Sequence, residues 1–474
     1  MNNEEFRRQA HQFVDWMADY LATVEDYPVR AQVQPGDVRD QLPAAAPERG
    51  EAMDDIFRDF QEIILPGMTH WQSPHFFAYF PANGSYPSLL AEMLTATLGA
   101  QCMIWETSPA AAELEEQVMK WLGQLIGIPD SWSGVIQSTA SDATLVALLT
   151  ARERASDFQY NAQGGASQPR YRVYGSAELH SSIEKAVKIA GLGRENYVKI
   201  PVDEHFAMRP EALAVAIHDD RMNGYTPLAV VAALGTTSST AVDPISLIAD
   251  ICTEEDLWLH IDAAYAGSAL ILPQYRDLIR GIEQADSFVF NPHKWLFTHF
   301  DCSAYFVRNH GHLIRTFEIS PEYLKTQADA QVNNYRDWGV PLGRRFRALK
   351  LWFVLRSFGA EGLRQRLQHH IDLAQGLVRE IDAHPDFERL APAPFNLICF
   401  RYHPRGLDDP ATLDALNARL LAELNASGQL YLTHTRLAGN YVMRLVIGQT
   451  EVQQRHVDAA WERIQKTAAN LEQA

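Results

Sequence analysis

The chain has 474 residues, about three times the ~150-residue length of a common domain, so one or two large cores with an appended segment are expected. Its 41 basic and 59 acidic residues give a formal net charge of −18, which repels a polyanion and disfavours a nucleic-acid partner. Hydrophobic residues make up 47% and charged residues 21%, which is ordinary for a globular enzyme and excludes wholesale disorder.

Targeting and metal signals are absent from the sequence. No stretch approaches the roughly 18 uninterrupted apolar residues of a membrane helix, and the N-terminus MNNEEFRRQAHQF lacks a signal-peptide apolar region. We therefore expect a cytoplasmic protein with no membrane partner. The histidines show no HExxH spacing and the cysteines no CxxC pair, so we expect no metal and no disulfide framework. The cysteines are predicted to be reduced core residues: Cys102, Cys252, Cys302 and Cys399.

Residues 1–84 are predicted to form a helical arm. The first helix has an apolar face, and a proline-rich connector leads to a second helix from Met53 to Ile64. Two helices joined by such a connector do not make a core. We expect the arm to pack on another subunit, or else on the large domain of its own chain.

Residues 85–350 alternate between short apolar runs and helical periods. Runs rich in Val, Ile and Leu without polar alternation, separated by helices, predict a parallel sheet covered on both faces. In such sheets ligands bind beyond the carboxyl ends of the strands. The predicted strands include GVIQ (134–137), RYRVYG (170–175), LAVVAAL (228–234) and LWLHID (257–262).

Residues 351–474 begin with a long helical region. The run FNLICFRY (395–402), a further helix, the two strands YLTHTRL and YVMRLVIG, and a closing helix follow. This order predicts a small α+β domain with an antiparallel sheet. The sequence is thus divided into an arm, a large domain and a small C-terminal domain.

A lysine stands at the centre of the apolar segment SFVFNPHKWLF (287–297). Taking an unpaired ammonium out of water costs several kcal/mol unless it pairs or loses its proton. For an isolated lysine, the ordinary explanation is a side chain that snorkels from a strand end. The alternative is that Lys294 reacts, because a desolvated lysine can form a Schiff base with an aldehyde.

Three further features fall at predicted strand ends. Asp262 closes LWLHID, residues 139–141 start a helix, and His180 opens another helix after a strand. Each has a simpler explanation as a turn former, a helix cap or a surface residue. Together with Lys294 they match the needs of pyridoxal phosphate (PLP), which are a Schiff-base lysine, a carboxylate at the pyridine nitrogen and a helix N-terminus for the phosphate.

Six segments closely resemble the aromatic L-amino-acid decarboxylases, a group of PLP-dependent group II decarboxylases, in order and spacing. The resemblance covers essentially the whole chain. It implies the α/β aspartate-aminotransferase-like fold (PLP fold type I), an obligate homodimer with an exchanged arm, and an active site at the subunit interface. The segments are HWQSPHFFAYFP (70–81), HSS (180–182), HIDAAYAGSA (260–269), NPHKW (291–295), PEYLK (321–325) and PLGRRFRALKLWFVLR (341–356).

The resemblance also implies roles for individual residues around the cofactor. Lys294 is the implied Schiff-base lysine and Asp262 the partner of the pyridine nitrogen. His180 is implied to stack on one face of the ring, with Ala264 against the other. Thr237 is implied to lie near the lysine and the cofactor. The implied phosphate ligands are Ala140, Ser141, Asn291 and His293.

On the substrate side, the resemblance implies a wall for the aromatic side chain made by Trp71, Tyr79, Phe80 and Pro81. Tyr323 matches a mobile-loop tyrosine that protonates the substrate carbon after CO2 leaves. Gly343 resembles the glycine of members that accept indoles. Two departures, Ala82 and the segment AQCMIWE (100–106), put a preference for catechol substrates in doubt.

Three alternatives remain beside simple decarboxylation. Related aldehyde synthases tend to carry phenylalanine for the loop tyrosine or asparagine for the stacking histidine, whereas this chain has Tyr323 and His180. A decarboxylase for acidic substrates is disfavoured by the aromatic segment FFAYFP and the acidic overall charge. A catalytically silent protein is disfavoured because lysine, aspartate, histidine and tyrosine are all retained. The sequence does not rank Trp, Tyr, Phe, dopa and 5-hydroxytryptophan as substrates.

Overall fold

The computed structural model describes residues 1–319 and 331–472. The chain divides into two compact units. The first comprises residues 1–81, 373–390 and 398–474, and the second comprises residues 82–372 and 391–397.

The second unit is built on a seven-stranded sheet with the order β1-β7-β6-β5-β4-β2-β3. The neighbours from β6 to β3 pair in parallel, whereas β7 runs antiparallel to both β6 and β1. The sheet is therefore parallel except for one reversed strand. Its strands are β1 (Ser133–Gln137), β2 (Tyr171–Ser176), β3 (Tyr197–Ile200), β4 (Thr226–Ala233), β5 (Trp258–Asp262), β6 (Ser287–Phe290) and β7 (Ser303–Val307).

The first unit contains a four-stranded sheet with the order β10-β11-β9-β8. The pairs β8 with β9 and β10 with β11 are antiparallel. Its strands are β8 (Phe387–Arg389), β9 (Leu397–Tyr402), β10 (Thr433–Leu437) and β11 (Asn440–Val446).

Helices surround both sheets. The longest, α12, is interrupted at Gly359, whose φ of 63° is in the left-handed region where glycine meets no Cβ penalty. In chain order the helices are α1 (Asn3–Thr23), α2 (Met53–Asp59), α3 (Tyr86–Leu98), α4 (Pro109–Ile126), α5 (Ala140–Ala155), α6 (Tyr160–Gln163), α7 (Ser181–Ile189), α8 (Pro210–Met222), α9 (Ile245–Glu254), α10 (Pro292–Trp295), α11 (His310–Phe317), α12 (Arg347–Ala383), α13 (Pro410–Ala426) and α14 (Gln454–Glu472).

Burial explains why the central strands are mostly apolar. Every residue of β5 and β6 is buried, because helices cover both faces of the sheet. Helix α5 packs its alanine, valine and leucine side chains into the same core as β2, β4 and α7. This packing fixes the start of α5 near the carboxyl edge of the sheet.

Helices α1 and α2 of the first unit pack on each other through aromatic rings. Phe13 lies 4.5 Å from Phe57, and Trp16 lies 5.2 Å from Phe60, measured between ring centroids. Phe6 of α1 stays exposed. The use of this segment as a dimerisation arm stays a prediction, as does the division of the sequence at residues 84 and 350.

The fold prediction is confirmed: the large sheet is mostly parallel and the small sheet has antiparallel pairs. All four cysteines are buried, as predicted for core residues. None of the described helices is both long enough and apolar enough to span a bilayer.

Candidate active site

The carboxyl edge of the large sheet collects most of the predicted cofactor contacts. The Leu234 N–H after β4 donates to the Asp262 carbonyl at the end of β5, at 2.9 Å. The Ala263 N–H donates to Val289 of β6, also at 2.9 Å. Asp262 therefore ends one strand, and the segment leading to Lys294 follows its parallel neighbour.

Asp262 is a buried carboxylate, with 8% of its surface exposed. Its Oδ1 accepts the N–H of Ala264 at 3.0 Å. This bond fixes the carboxylate plane at the strand end and also holds Ala264 beside it. A buried carboxylate with one oxygen committed in this way is suited to hold a cationic N–H group on the other.

Lys294 lies on the one-turn helix α10, where its N–H donates to the Asn291 carbonyl at 2.9 Å. Its side chain is partly buried. The ammonium contributes to lowering the pKa of both His180 and His293, so it lies within electrostatic range of both rings. The structure thus brings Lys294, His180 and Asp262 together.

His180 is the N-cap of α7. Its Nδ1 accepts the Ser182 N–H at 3.2 Å and lies 2.8 Å from the Ser182 Oγ. Desolvation and the charge of Lys294 lower the pKa of His180, while Asp262 opposes the shift. The imidazole is therefore neutral at neutral pH, with its proton on Nε2. A role as helix cap does not exclude a role at the cofactor, because His180 remains exposed while it caps α7.

His293 and Asn291 are held by the reversed strand β7 and the residue before it. His293 Nδ1 accepts the Cys302 N–H at 2.9 Å, and Asn291 Oδ1 accepts the Ser303 hydroxyl at 2.6 Å. Burial, with a contribution from Lys294, lowers the pKa of His293 to about 3. The groups left to donate are the Nε2–H of neutral His293 and the amide NH2 of Asn291, and both suit an anion.

The start of α5 supplies the remaining anion donors. Thr139 is the N-cap and accepts the Asp142 N–H at 3.3 Å, and the Asp142 carboxylate also accepts the hydroxyls of Ser138 and Thr139. The first N–H groups of a helix have no partner inside it, and the positive helix end attracts phosphate. Ala140 and Ser141 occupy that first turn.

Thr237 is partly buried in the loop that follows β4. Gly235, at the start of that loop, has a φ of +89°, and a Cβ there would lie 2.7 Å from the Ala266 Cβ. The loop therefore approaches the segment after Asp262 so closely that only glycine fits.

The predicted substrate wall belongs to the first unit. Trp71 and Tyr79 stack with centroids 5.9 Å apart and remain exposed, while Phe80 lies under the Arg444 guanidinium at 5.4 Å. Pro81 is buried and is the last residue of the N-terminal segment of this unit. Their assignment to the substrate stays a prediction.

Two substrate-side predictions concern the segment that leads into α12. Gly343 is exposed, and a Cβ there would lie 3.3 Å from the Gln101 Nε2, the end of a flexible side chain. Tyr323 lies outside the described residues, so its role also stays a prediction.

Among the described residues, one group has the composition of a metal site: Glu25, His75 and His456 in the first unit. However, His456 Nδ1 accepts the Gln453 N–H at 2.9 Å, and its Nε2 lies 2.9 Å from Glu25. This arrangement fixes the proton on Nε2, where it donates to Glu25. The nitrogen that would bind a metal is thus already protonated.

A mostly parallel sheet with a lysine, a buried aspartate and a helix start at its carboxyl edge is the arrangement of PLP-dependent enzymes of fold type I. Residues 35–403 match the pyridoxal-dependent decarboxylase conserved domain. The chain belongs to this family of PLP-dependent group II decarboxylases.

Individual relatives align with this chain over almost its whole length. A phenylacetaldehyde synthase from Arabidopsis thaliana is 43% identical, with 99% of this chain and 97% of the relative covered. An aromatic-L-amino-acid decarboxylase from Sus scrofa is also 43% identical, with 99% and 98% covered. The crystal structure of Oryza sativa TDC with PLP and tryptamine superposes with a TM-score of 0.96 at 35% identity, covering 99% of both chains.

The donor set fits PLP. The cofactor carries an aldehyde, a basic pyridine nitrogen and a phosphate, and the sheet edge offers an amine, a buried carboxylate and N–H donors that match them in turn. The sequence did not indicate Cys302 and Ser303, which orient two of these donors. It also did not indicate that the buried His260 contacts Thr144 and Ser287 through its ring nitrogens, although a polar residue inside the apolar strand LWLHID was a visible signal.

Proposed function

We propose that the enzyme decarboxylates aromatic L-amino acids to the corresponding arylalkylamines and CO2. The observation that carries the proposal is that Lys294 and Asp262 lie close enough to His180 at the sheet edge to act on its pKa in opposite directions. The family relationship supports it, because relatives with these specificities align over the whole chain. The preferred amino acid among Trp, Tyr, Phe, dopa and 5-hydroxytryptophan is the open part of the proposal.

Each residue at the sheet edge has a defined task in this proposal. PLP, when bound, withdraws electrons from the substrate Cα and so allows its carboxylate to leave as CO2. Lys294 would supply the amine that holds the cofactor through its aldehyde. Asp262 keeps a proton on the pyridine nitrogen, and because its other oxygen is fixed by Ala264, it needs no reorganisation to do so.

The protonation states of the two histidines support these tasks. A neutral His180 can lie flat against the ring without placing a second positive charge beside the protonated nitrogen. A neutral His293, with Nδ1 committed to Cys302, presents one N–H to the phosphate. With Asn291 and the first turn of α5, it would anchor the cofactor at the end opposite Asp262.

The fate of the substrate carbon separates amine from aldehyde formation. We assign its protonation to Tyr323, which is present where aldehyde synthases tend to have phenylalanine. The second candidate, oxidative aldehyde synthesis, is favoured by one observation: a phenylacetaldehyde synthase is as similar to this chain as a decarboxylase is. The wall of Trp71, Tyr79, Phe80 and Pro81 is proposed to receive the aromatic ring in either case.

We also propose that the enzyme is a homodimer. Four apolar side chains at a strict spacing of four residues form a stripe along α3, and they are 46–63% exposed in the single chain. A contiguous exposed apolar stripe on a soluble domain is typical of an interface. A second copy of the chain is the partner that the family relationship supports, and a cytoplasmic location stays a prediction. The stripe consists of Tyr86, Leu90, Leu94 and Leu98.

The test is a substrate panel of the five aromatic amino acids, with amine, aldehyde and hydrogen peroxide quantified by mass spectrometry and a peroxidase assay. The parent enzyme should release amine and CO2 with little peroxide. Tyr323→Phe should consume O2 and release aldehyde, ammonia, CO2 and peroxide.

If the parent releases mainly aldehyde and peroxide, the aldehyde synthase is the correct function. If Tyr323→Phe forms amine without peroxide, Tyr323 is not the proton donor.

A further inference from the structure

His260 lies in β5 two residues before Asp262, so both side chains are on the same face of the sheet. It is fully buried, and its two ring nitrogens each meet a hydroxyl. Nδ1 lies 2.9 Å from the Ser287 Oγ, and Nε2 lies 3.2 Å from the Thr144 Oγ1. One imidazole therefore connects β5 to β6 on one side and to α5 on the other.

These three elements are the ones that position the cofactor contacts. Helix α5 presents its first turn to the phosphate, β5 ends in Asp262, and β6 leads to Asn291 and Lys294. Thr144 lies one turn into α5, directly after the anion-binding turn. The His260 ring thus connects the helix proposed to bind the phosphate to the two strands that lead to Asp262 and Lys294.

Packing alone does not explain a histidine at this place. An imidazole in an apolar layer costs free energy unless both nitrogens are satisfied, whereas leucine would fill similar space without that requirement. The hydrogen-bond network around His260 also includes Trp258, whose Nε1–H donates to the same Ser287 Oγ at 3.0 Å. Burial lowers the pKa of His260 to about 4, so the ring is neutral and forms no ion pair with Asp262.

We propose that His260 is a positioning residue that, with Thr144 and Ser287, holds the phosphate-binding start of α5 at a fixed distance from Asp262. The inference rests on the proposed roles of Asp262 and the α5 turn. PLP is rigid, so both of its ends are bound well only if these two groups are correctly spaced. A shift of about 1 Å at either end weakens one of the two contacts.

Helix α5 provides a matched pair of variants. Thr144 and Thr150 are both fully buried, but Thr150 bonds only to the Val146 carbonyl of its own helix, at 2.8 Å. Thr144→Val and Thr150→Val are the same change of shape and chemistry six residues apart, and only Thr144→Val removes the His260 contact. A difference between them in cofactor binding therefore reports on positioning rather than on general stability.

The experiment measures PLP affinity of the full-length apo enzyme by titration, and the rise in Tm on adding PLP. Thr144→Val should bind PLP at least tenfold more weakly, which removes about 1.4 kcal/mol of cofactor stabilisation. Thr150→Val should bind within twofold of the parent, even if both variants lower the Tm of the apo enzyme. His260→Gln, which keeps hydrogen-bonding capacity, should retain more affinity than His260→Leu.

Equal PLP affinity of the two threonine variants would overturn the proposal, as would a His260→Leu variant that binds PLP like the parent. Both results are independent of which product the enzyme makes. If the substrate panel yields no amine while the affinity pattern holds, the proposed function fails and the positioning role stands.

Discussion

Lowering the pH from 7 to 5 should destabilise the large-sheet unit, because three of its histidines are held neutral. Burial lowers the pKa of His260 and His299 to about 4 and that of His293 to about 3. A histidine in an unfolded chain titrates near 6.5. Between these values only the unfolded state binds the protons, so stability is present above about pH 6.5 and is lost as the pH falls.

The magnitude follows from the same values. Each histidine removes slightly less than ~2 kcal/mol of folded-state stability between pH 7 and pH 5, and the three together remove roughly 5–6 kcal/mol. Asp243 acts in the opposite direction, because burial raises its pKa to about 6 and the folded state takes up that proton first. Asp243 adds about 1 kcal/mol, so the net loss is roughly 4–5 kcal/mol out of a usual total of about 5–15 kcal/mol.

The assay is urea unfolding of the full-length apo enzyme at pH 7, 6 and 5, followed by tryptophan fluorescence. In His299→Gln, the loss of stability attributed to the three histidines should shrink by about one third, and His218→Gln, at an exposed histidine, is the matched control. Stability that stays level or rises between pH 7 and pH 5 would refute the reasoning, because it would mean that these imidazoles are protonated in the folded state.

Three further substitutions test the site and the assembly. Asp262→Asn should lower the turnover rate of the PLP-bound enzyme on the order of a thousandfold or more, which corresponds to about 4 kcal/mol of activation barrier. Near-normal turnover of this variant would contradict the role of Asp262. Leu94→Glu should convert the dimer to an inactive monomer, as measured by sedimentation. Val215→Glu, at an exposed apolar residue of α8, should leave the dimer intact. If the Leu94→Glu variant is dimeric, α3 is not the interface. Gly343→Ser should reduce kcat/KM for indole substrates relative to phenolic ones, since the serine Cβ would lie 3.3 Å from the Gln101 Nε2. An unchanged ratio of the two kcat/KM values would show that Gly343 does not determine specificity.

The central strands could be predicted from sequence because both of their faces are buried. β4, β5 and β6 appear as mostly apolar runs, and a polar residue or glycine at or just after the end of each, Gly235, Asp262 and Asn291, marks the carboxyl edge. The reversed strand β7 was not predicted, since a short apolar run carries no information about its direction. β3 is a half-exposed edge strand of four residues with a weak pattern.

The same limit explains which parts of the site the sequence did not indicate. Lys294, Asp262 and His180 stand out as polar residues at strand ends. The partners of His293 and Asn291 come from β7 and the residue before it, so they could be found only once the direction of that strand was known. The alternation of β5 puts His260 on the face of Asp262, but its bonds to α5 and β6 depend on packing between distant segments.

The most direct test of the central claim is to locate the cofactor. Borohydride reduction of the PLP-loaded enzyme, followed by tryptic digestion and mass spectrometry, should place the pyridoxyl label on Lys294. Modification blocks cleavage there, so the labelled peptide should run from residue 281 to residue 308. A label on Lys325 or Lys350 instead would contradict the assignment of the site.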